Sequence, residues 1–396
     1  MSSEQTGIRP PRVPLYNDPR VRSVIYQLAL AAIIVFLVYG ATTNAIDHLQ
    51  RAHIASGFGF WNETAGFNIS QSLIPFSSTI STYGTAFWVG LLNTLLVAAL
   101  GIVLATILGF LVGISRLSKN WLVSRVASGY VETIRNIPLL LQLLFWYNGV
   151  LKALPELRNS YSIANAIYLN NRGFYVPEPI ARPGFGWVEL VFVVGIVASV
   201  AFYFWARRRQ MQTGQRAPVL WVTLGLVIAL PFIVLLLAGV PIHFESPQAG
   251  RFNISGGIEV VPEFAALLFG LSIYTAAFIA EVVRAGIMAV SQGQAEAAYS
   301  LGIKPGPTLR LIVVPQAMRV IIPPLSSQYL NLIKNSSLAV AIGYPDLVQI
   351  FTGTVLNQTG QAVEVVAITM AVYLTISLVT SGLMNLYNQR MALVER

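Results

Sequence analysis

The chain has 396 residues, of which 55% are hydrophobic and only 10% charged, and its mean hydropathy is +0.66. A soluble globular domain has roughly a quarter of its residues charged, so water is not the main solvent here. The absence of cysteine excludes disulfides, thiolate metal sites and thiol nucleophiles, and the three histidines, His48, His53 and His243, make no metal spacing. The net charge of +9 comes from basic residues clustered beside apolar runs, which favours a topogenic role over nucleic-acid binding.

In chain order, the first 23 residues are polar and rich in proline and arginine, and they precede an apolar run from Val24 to about Thr43. The core of a signal peptide is about 7–15 residues long, so this run reads as an uncleaved membrane helix. Further spans are predicted at about Trp88–Ile114, Val126–Leu151, Trp187–Trp205, Val219–Val240, Glu263–Val290, Val320–Gly343 and Val365–Tyr387. Each approaches or exceeds the roughly 20 helical residues that cross a hydrocarbon core of about 30 Å. The expected fold is therefore an all-α membrane protein of about eight transmembrane helices. Segments 44–87 and 152–186 carry Gly, Pro, Asn and aromatics without a helical period, which predicts surface loops with short interfacial helices. With the N-terminus inside, sixteen Lys and Arg fall on the cytoplasmic side and six on the other, so both termini are expected in the cytoplasm.

Between the sixth and seventh spans, residues 291–317 contain Glu296-Ala297-Ala298-Tyr299, Leu301, Gly302, Pro305 and Pro307. A two-turn helix from Gln294 to Leu301 is predicted, with Gly302 as a left-handed cap, prolines that stop it, and Glu296 in the first turn against the helix dipole. Physics alone leaves two readings open: a docking surface for another protein, with Tyr299 and Leu301 as apolar anchors, or an amphipathic helix resting on lipid headgroups.

The spacing of Glu296-Ala297-Ala298, Gly302, Ile312, Val314 and Pro315 resembles the signature of binding-protein-dependent ABC permeases, which usually carry leucine in place of Val314. In that family the loop is the coupling helix, seated in a groove of the ATP-hydrolysing subunit. Ala277 through Gly286, Pro315 through Arg319, and Asn331 through Leu338 are similar to the polar amino-acid permeases, as are Gly90 through Thr94 and Tyr130 through Gln142. The resemblance implies a type I importer core of five helices in two parts, 88–151 and 262–387. Beyond this core lie a cytoplasmic tail at 1–23, an extra helix and periplasmic loop at 24–87, a two-helix insertion at 152–261 and a second tail at 388–396. This enlargement resembles the permeases of general L-amino-acid importers in Gram-negative bacteria.

The same resemblance implies a bacterial inner-membrane location, two ATP-binding subunits, a second and homologous permease subunit, and a periplasmic amino-acid-binding protein, all in contact with membrane lipid. The chain lacks a Gly-x-x-x-x-Gly-Lys-Ser/Thr phosphate loop, so ATP and magnesium are expected in the partner ATPase, with no cofactor and no enzymatic role here. An ion-coupled secondary transporter or channel is the alternative, since buried charges and prolines would suit it as well.

Ionisable residues inside spans cost about 2.5–3.5 kcal/mol on insertion scales, so each calls for a partner or a role. Glu132 with Arg135, and Glu281 with Arg284, stand three apart and can pair on one helical face. They are read either as structural ion pairs or as groups lining a substrate path. Gln142, Asn331, Lys334 and Ser336 are the other candidates for such a path or gate. Lys334 is alternatively bonded to backbone carbonyls or to a carboxylate on a neighbouring helix. Pro138 and the pair Pro323-Pro324 are expected to kink or interrupt their helices.

Overall fold

The computed structural model describes residues 19–51, 56–215, 217–250 and 253–391. Arg9, Arg12, Arg216, Arg251, Arg396 and His53 lie outside the described residues, as do most of the expected N-terminal tail and the end of the C-terminal one. Among the described residues, seven helical stretches are long and apolar enough to cross a membrane: Arg22–Ala41, Tyr83–Arg116, Phe185–Thr213, Val219–Leu237, Pro262–Met288, Pro305–Ile342 and Ala362–Gln389.

The expected span Val126–Leu151 is not one helix. After α1 (Pro19–Arg51) and α2 (Tyr83–Arg116), the amphipathic α3 (Trp121–Asn136) begins at Asn120, whose side chain accepts from the amides of Leu122 and Val123. It stops at Ile137, which is extended at φ −97°, ψ 127°, because the residue before a proline avoids the helical region. Pro138 then opens α4 (Leu139–Leu144), which continues as a wider π-helical turn over Phe145–Leu151. The break frees carbonyls at the end of α3, and the buried Gln142 takes two of them: its Nε2 donates to Ile134 and Ile137, both at 2.9 Å.

The Pro323-Pro324 pair behaves differently. Both prolines are exposed and lie inside a continuous α11 (Val314–Asn335), so they do not interrupt that helix as expected. They remove the amides that would have bonded to the carbonyls of Arg319 and Val320.

The insertion contains the helix α5 (Phe185–Thr213) and the consecutive α6 (Val219–Leu224), a π-turn at Gly225–Ala229 and α7 (Leu230–Leu237), which pack against one another. It also contains short strands where loops with interfacial helices were predicted. β1 (Tyr161–Ile163), β2 (Ile167–Asn170) and β3 (Gly173–Val176) pair antiparallel, and β4 (Glu178–Ala181) pairs with β5 (Ile242–Glu245). After β6 (Gln248–Ala249) and β7 (Ile254–Ser255), β8 (Ile258–Val260) joins β3 with Phe174 opposite Val260, so the outgoing and returning chains meet in one sheet.

The core centres on α2 and α8 (Pro262–Met288), with α3, α4 and α11 packed against α8. Their contact depends on small residues. A Cβ on Gly109 would lie 2.6 Å from the Cβ of Ile279, and one on Gly113 would lie 2.8 Å from the carbonyl oxygen of Ala280. Between lipid-embedded helices there is no water to drive association, so close backbone approach and van der Waals packing hold them. After α11 the chain forms a 3-10 turn at Ser336–Ile342 and a π-turn at Gln349–Val355, then α12 (Leu356–Thr359) and α13 (Ala362–Met391). The loop before α2 is fixed by aromatic contacts, with Trp61 5.2 Å from Phe87 and 6.1 Å from Phe351 between ring centres.

Replacing Gly113 with leucine forces α2 and α8 apart and is expected to cost about 1–3 kcal/mol by overpacking. A thermal unfolding midpoint equal to that of the unsubstituted protein would show that this contact does not hold the core.

Candidate functional site

Two places on the core bring functional side chains together: an exposed helix at one end of α8, and a charged cluster with an adjoining cavity inside the bundle. The helix is α9 (Gln292–Ser300), two residues earlier at its start than predicted. Glu296 therefore falls beyond the first turn, and its expected contact with the positive end of the dipole is corrected accordingly. The predicted cap is present: Gly302 has φ +74°, its amide donates to the Tyr299 carbonyl at 2.9 Å, and the Ile303 amide donates to Ala298 at 3.0 Å. These two bonds make a Schellman closure. Pro305 then starts α10 (Pro305–Thr308), where its missing amide costs nothing.

The faces of α9 divide sharply. Ala298 is 2% exposed and turns inward, whereas Tyr299 is 50% and Leu301 79% exposed, with Glu296 and Ala297 on the open surface beside them. Only residues 289–291 separate α9 from α8, and only 301–304 separate it from α10. A force applied to α9 therefore reaches both α8 and the long helical stretch Pro305–Ile342 through short connectors.

Inside the bundle, Glu281 gathers three guanidinium groups from three helices. Its Oε1 accepts from Arg284 Nη2 at 2.5 Å, its Oε2 accepts from Arg116 at the end of α2, and Arg135 Nη1 on α3 stands 3.9 Å away. Arg116 is also held by Ser128 Oγ, which accepts from its Nε at 3.4 Å. The expected Glu281–Arg284 pair is thus formed, but the expected Glu132–Arg135 pair is not. Arg135 lies over the Phe278 ring at 5.1 Å and turns toward α8, while Glu132 stays on the exposed side of α3. One carboxylate facing three guanidiniums leaves the cluster with an excess positive charge.

Phe278 also lines a cavity of about 350 Å³ with Tyr274 and Thr275 on α8 and Gln328, Asn331 and Asn335 on α11. Three amides at helical spacing offer both donors and acceptors there, beside two aromatic rings. Of the sequence-predicted path residues, Asn331 lines this cavity, and Arg135 reaches it through Phe278. Glu281 and Arg284 lie about one and about two turns further along α8 than Phe278. Lys334 is exposed on α11 and forms no ion pair among the described residues. Ser336 is buried and donates to the Ile333 carbonyl at 2.7 Å, and Gln142 serves the break at Pro138, so neither lines the cavity. Arg116, Tyr274, Thr275, Phe278, Gln328 and Asn335 were not predicted as site residues; only helix-to-helix packing reveals them.

At the other end of α2, Asn93 and Thr94 clamp the turn after the 3-10 segment. Asn93 Nδ2 donates to the carbonyls of Gln71 at 2.9 Å and Pro345 at 2.8 Å, and Thr94 Oγ1 accepts from the Leu347 amide at 3.1 Å. The fully buried Asp346 in that turn accepts from the Gln349 amide at 2.8 Å and the Tyr373 hydroxyl at 3.1 Å.

Glu281→Gln leaves three guanidiniums with a neutral partner. Hydrogen bonds to charged groups contribute about 1.5–3 kcal/mol, and the partial exposure of the cluster places the expected loss near 1–2 kcal/mol. A double-mutant cycle of Glu281→Gln with Arg116→Met in purified protein checks this: additive losses would show that the two residues do not interact.

Residues 101–393 match the family model described as binding-protein-dependent transport system inner membrane component. The general L-amino acid transport system permease protein AapQ of Rhizobium johnstonii is 52% identical over 96% of this chain and 94% of its own length. The putative amino-acid ABC transporter permease protein YhdX of Escherichia coli is 49% identical over 96% of this chain and 97% of its own. A glutamate/glutamine/aspartate/asparagine transport system permease protein, BztB of Rhodobacter capsulatus, is 42% identical over 96% of each chain. Among solved structures, a chain of an amino acid ABC transporter crystallised with histidines is similar at TM-score 0.46 and 24% identity, covering 78% of this chain and 95% of that one. The family match covers the exposed helix, the Glu281 cluster and the cavity together, and the chain belongs to the inner-membrane permease components of binding-protein-dependent transport systems.

Proposed function

We propose that the chain is the permease subunit of an ATP-driven importer that moves L-amino acids from the periplasm to the cytoplasm. The observation that carries this is α9: an exposed, glycine-capped helix tied by short connectors to the helices that line the cavity. In this reading Glu296, Ala297, Tyr299, Leu301 and Gly302 form the coupling surface, and the inward-facing Ala298 seats it against the bundle. ATP and magnesium act in two separate ATP-binding subunits whose closure pushes α9, and α8 and α11 carry the displacement to the cavity. A second, homologous permease subunit completes the pathway, and a periplasmic binding protein delivers the ligand. The distribution of arginine and lysine supports cytoplasmic termini and a cytoplasmic α9.

An amino acid in zwitterionic form carries a carboxylate, an ammonium and a side chain. The cavity amides of Gln328, Asn331 and Asn335 suit hydrogen bonds to both charged ends, and the excess positive charge at Arg116, Arg135 and Arg284 favours the carboxylate on the way toward α9. Lys334 faces outward from this chain, in a position to add its charge at a permease–permease interface. High identity to relatives named for L-amino-acid, glutamate and glutamine transport supports this substrate class. No observation favours the ion-coupled alternative.

The test is uptake of radiolabelled amino acids by the reconstituted complex, with each unlabelled amino acid as competitor. Asn331→Leu is expected to lower uptake about tenfold, the factor that 1.4 kcal/mol represents, while ATP hydrolysis by the assembled complex persists. Undiminished uptake by an assembled Asn331→Leu complex would remove the cavity from the pathway.

A further inference from the structure

The helical hairpin of the insertion has a feature that transport does not use. At 29 residues α5 is about 43 Å long at 1.5 Å per residue, well beyond a hydrocarbon core of about 30 Å. Its apolar stretch runs from Trp187 to Trp205, and Arg207, Arg208 and Arg209 follow directly. Tryptophans mark the two membrane–water interfaces, so the three guanidiniums stand at the level of lipid phosphates. No Asp or Glu occurs between Glu189 and Glu245, and among the described residues none of the three arginines forms an ion pair. Their counter-charge must come from outside this segment.

The structure provides a place for it. Gly214, at φ +71°, ends α5 and turns the chain back. A cavity of about 600 Å³ forms between Tyr203, Phe204, Arg207 and Gln210 on α5 and Ala217 and Val219 on the returning chain. A second cavity, of about 350 Å³, is bordered by Phe204, Arg207, Arg208 and Met211. Arg209 is engaged elsewhere: it lies over the Trp205 ring at 5.4 Å and donates to Gln215 Oε1 at 3.4 Å. Arg207 and Arg208 are thus the guanidiniums that border the cavities, with aromatic and aliphatic walls on the membrane side of them.

We propose that these adjoining cavities bind one anionic phospholipid, its phosphodiester held by Arg207 and Arg208 and its glycerol and upper acyl carbons packed on Tyr203, Phe204 and Val219. A run of arginines that acts only in topology needs charge alone; it has no use for a walled cavity with guanidiniums at the headgroup end. Assigning the site to the cytoplasmic leaflet rests on the orientation proposed above, whereas binding itself does not.

The purified complex, incubated with cardiolipin and phosphatidylethanolamine, is examined by native mass spectrometry for retained lipid. Arg207→Gln leaves Arg208, Arg209 and Arg216 to orient the helix, and Ala217→Trp fills the cavity without touching charge. Arg207→Gln is expected to lower retained cardiolipin about fivefold, the factor implied by about 1 kcal/mol per arginine at an anionic surface, and Ala217→Trp to lower it by filling the space of the glycerol and acyl carbons, neither changing phosphatidylethanolamine. Unchanged cardiolipin in both variants, or its displacement by inorganic phosphate, would overturn the proposal. Orientation is read separately from Gln215→Cys in a chain with no other cysteine. Labelling of that thiol from the periplasm by an impermeant maleimide would overturn the leaflet assignment and leave the lipid count standing.

Discussion

The close approach of α2 and α8 sets the geometry of everything else in the core. Lipid offers no hydrophobic reward for bringing two apolar helices together, so the contact must come from shape, and here Gly109 and Gly113 let α2 settle onto Ile279 and Ala280 with almost no space between backbones. The same approach brings Arg116, at the end of α2, to Glu281 on α8. It also fixes the other end of α2, where Gly90 lies so near Leu347 that a Cβ would sit 2.9 Å from that residue's Cα, leaving Asn93 and Thr94 to hold the turn with hydrogen bonds. Packing comes first, and the polar contacts follow from it.

Around that pair, charge is arranged so that three helices share one carboxylate. An isolated ion in the bundle would be costly, and Glu281 answers for Arg116, Arg135 and Arg284 together. Because those arginines come from α2, α3 and α8, a relative movement of the helices must rearrange the cluster. Such an arrangement suits an element with two packings, which is what the proposed transport cycle needs. The exposed α9 stands only a few residues from α8, so a push on one is felt by the other.

Much of this was legible in the sequence, for identifiable reasons. Long apolar runs mark spans because the bilayer demands them, and the glycine cap at Gly302 was readable because a left-handed residue ending a helix is nearly always glycine or asparagine. Pro138 was recognised as a helix breaker, yet the apolar residues on both sides of it read as one continuous span. Spacing misled at Glu132 and Arg135: three residues apart permits a contact, but Phe278 and Glu281 on a neighbouring helix offered Arg135 a better one. The strands of the insertion are two to four residues long and too short to show a period, and β3 pairs with β8 across more than eighty residues of chain. The cavity was the least visible of all, since Tyr274, Phe278, Gln328 and Asn335 become neighbours only when α8 and α11 are placed together.

The central claim is that α9 is the surface through which an ATP-hydrolysing subunit drives the bundle. The absence of cysteine makes a direct measurement possible: Tyr299→Cys carries the only thiol in the chain, on a half-exposed residue of that helix. A short thiol-reactive photo-crosslinker at this position in the native complex should capture the ATP-binding subunit, with a yield that changes between nucleotide-free and ATP-bound states. Capture of lipid alone, with no ATP-binding subunit in either state, would contradict the account.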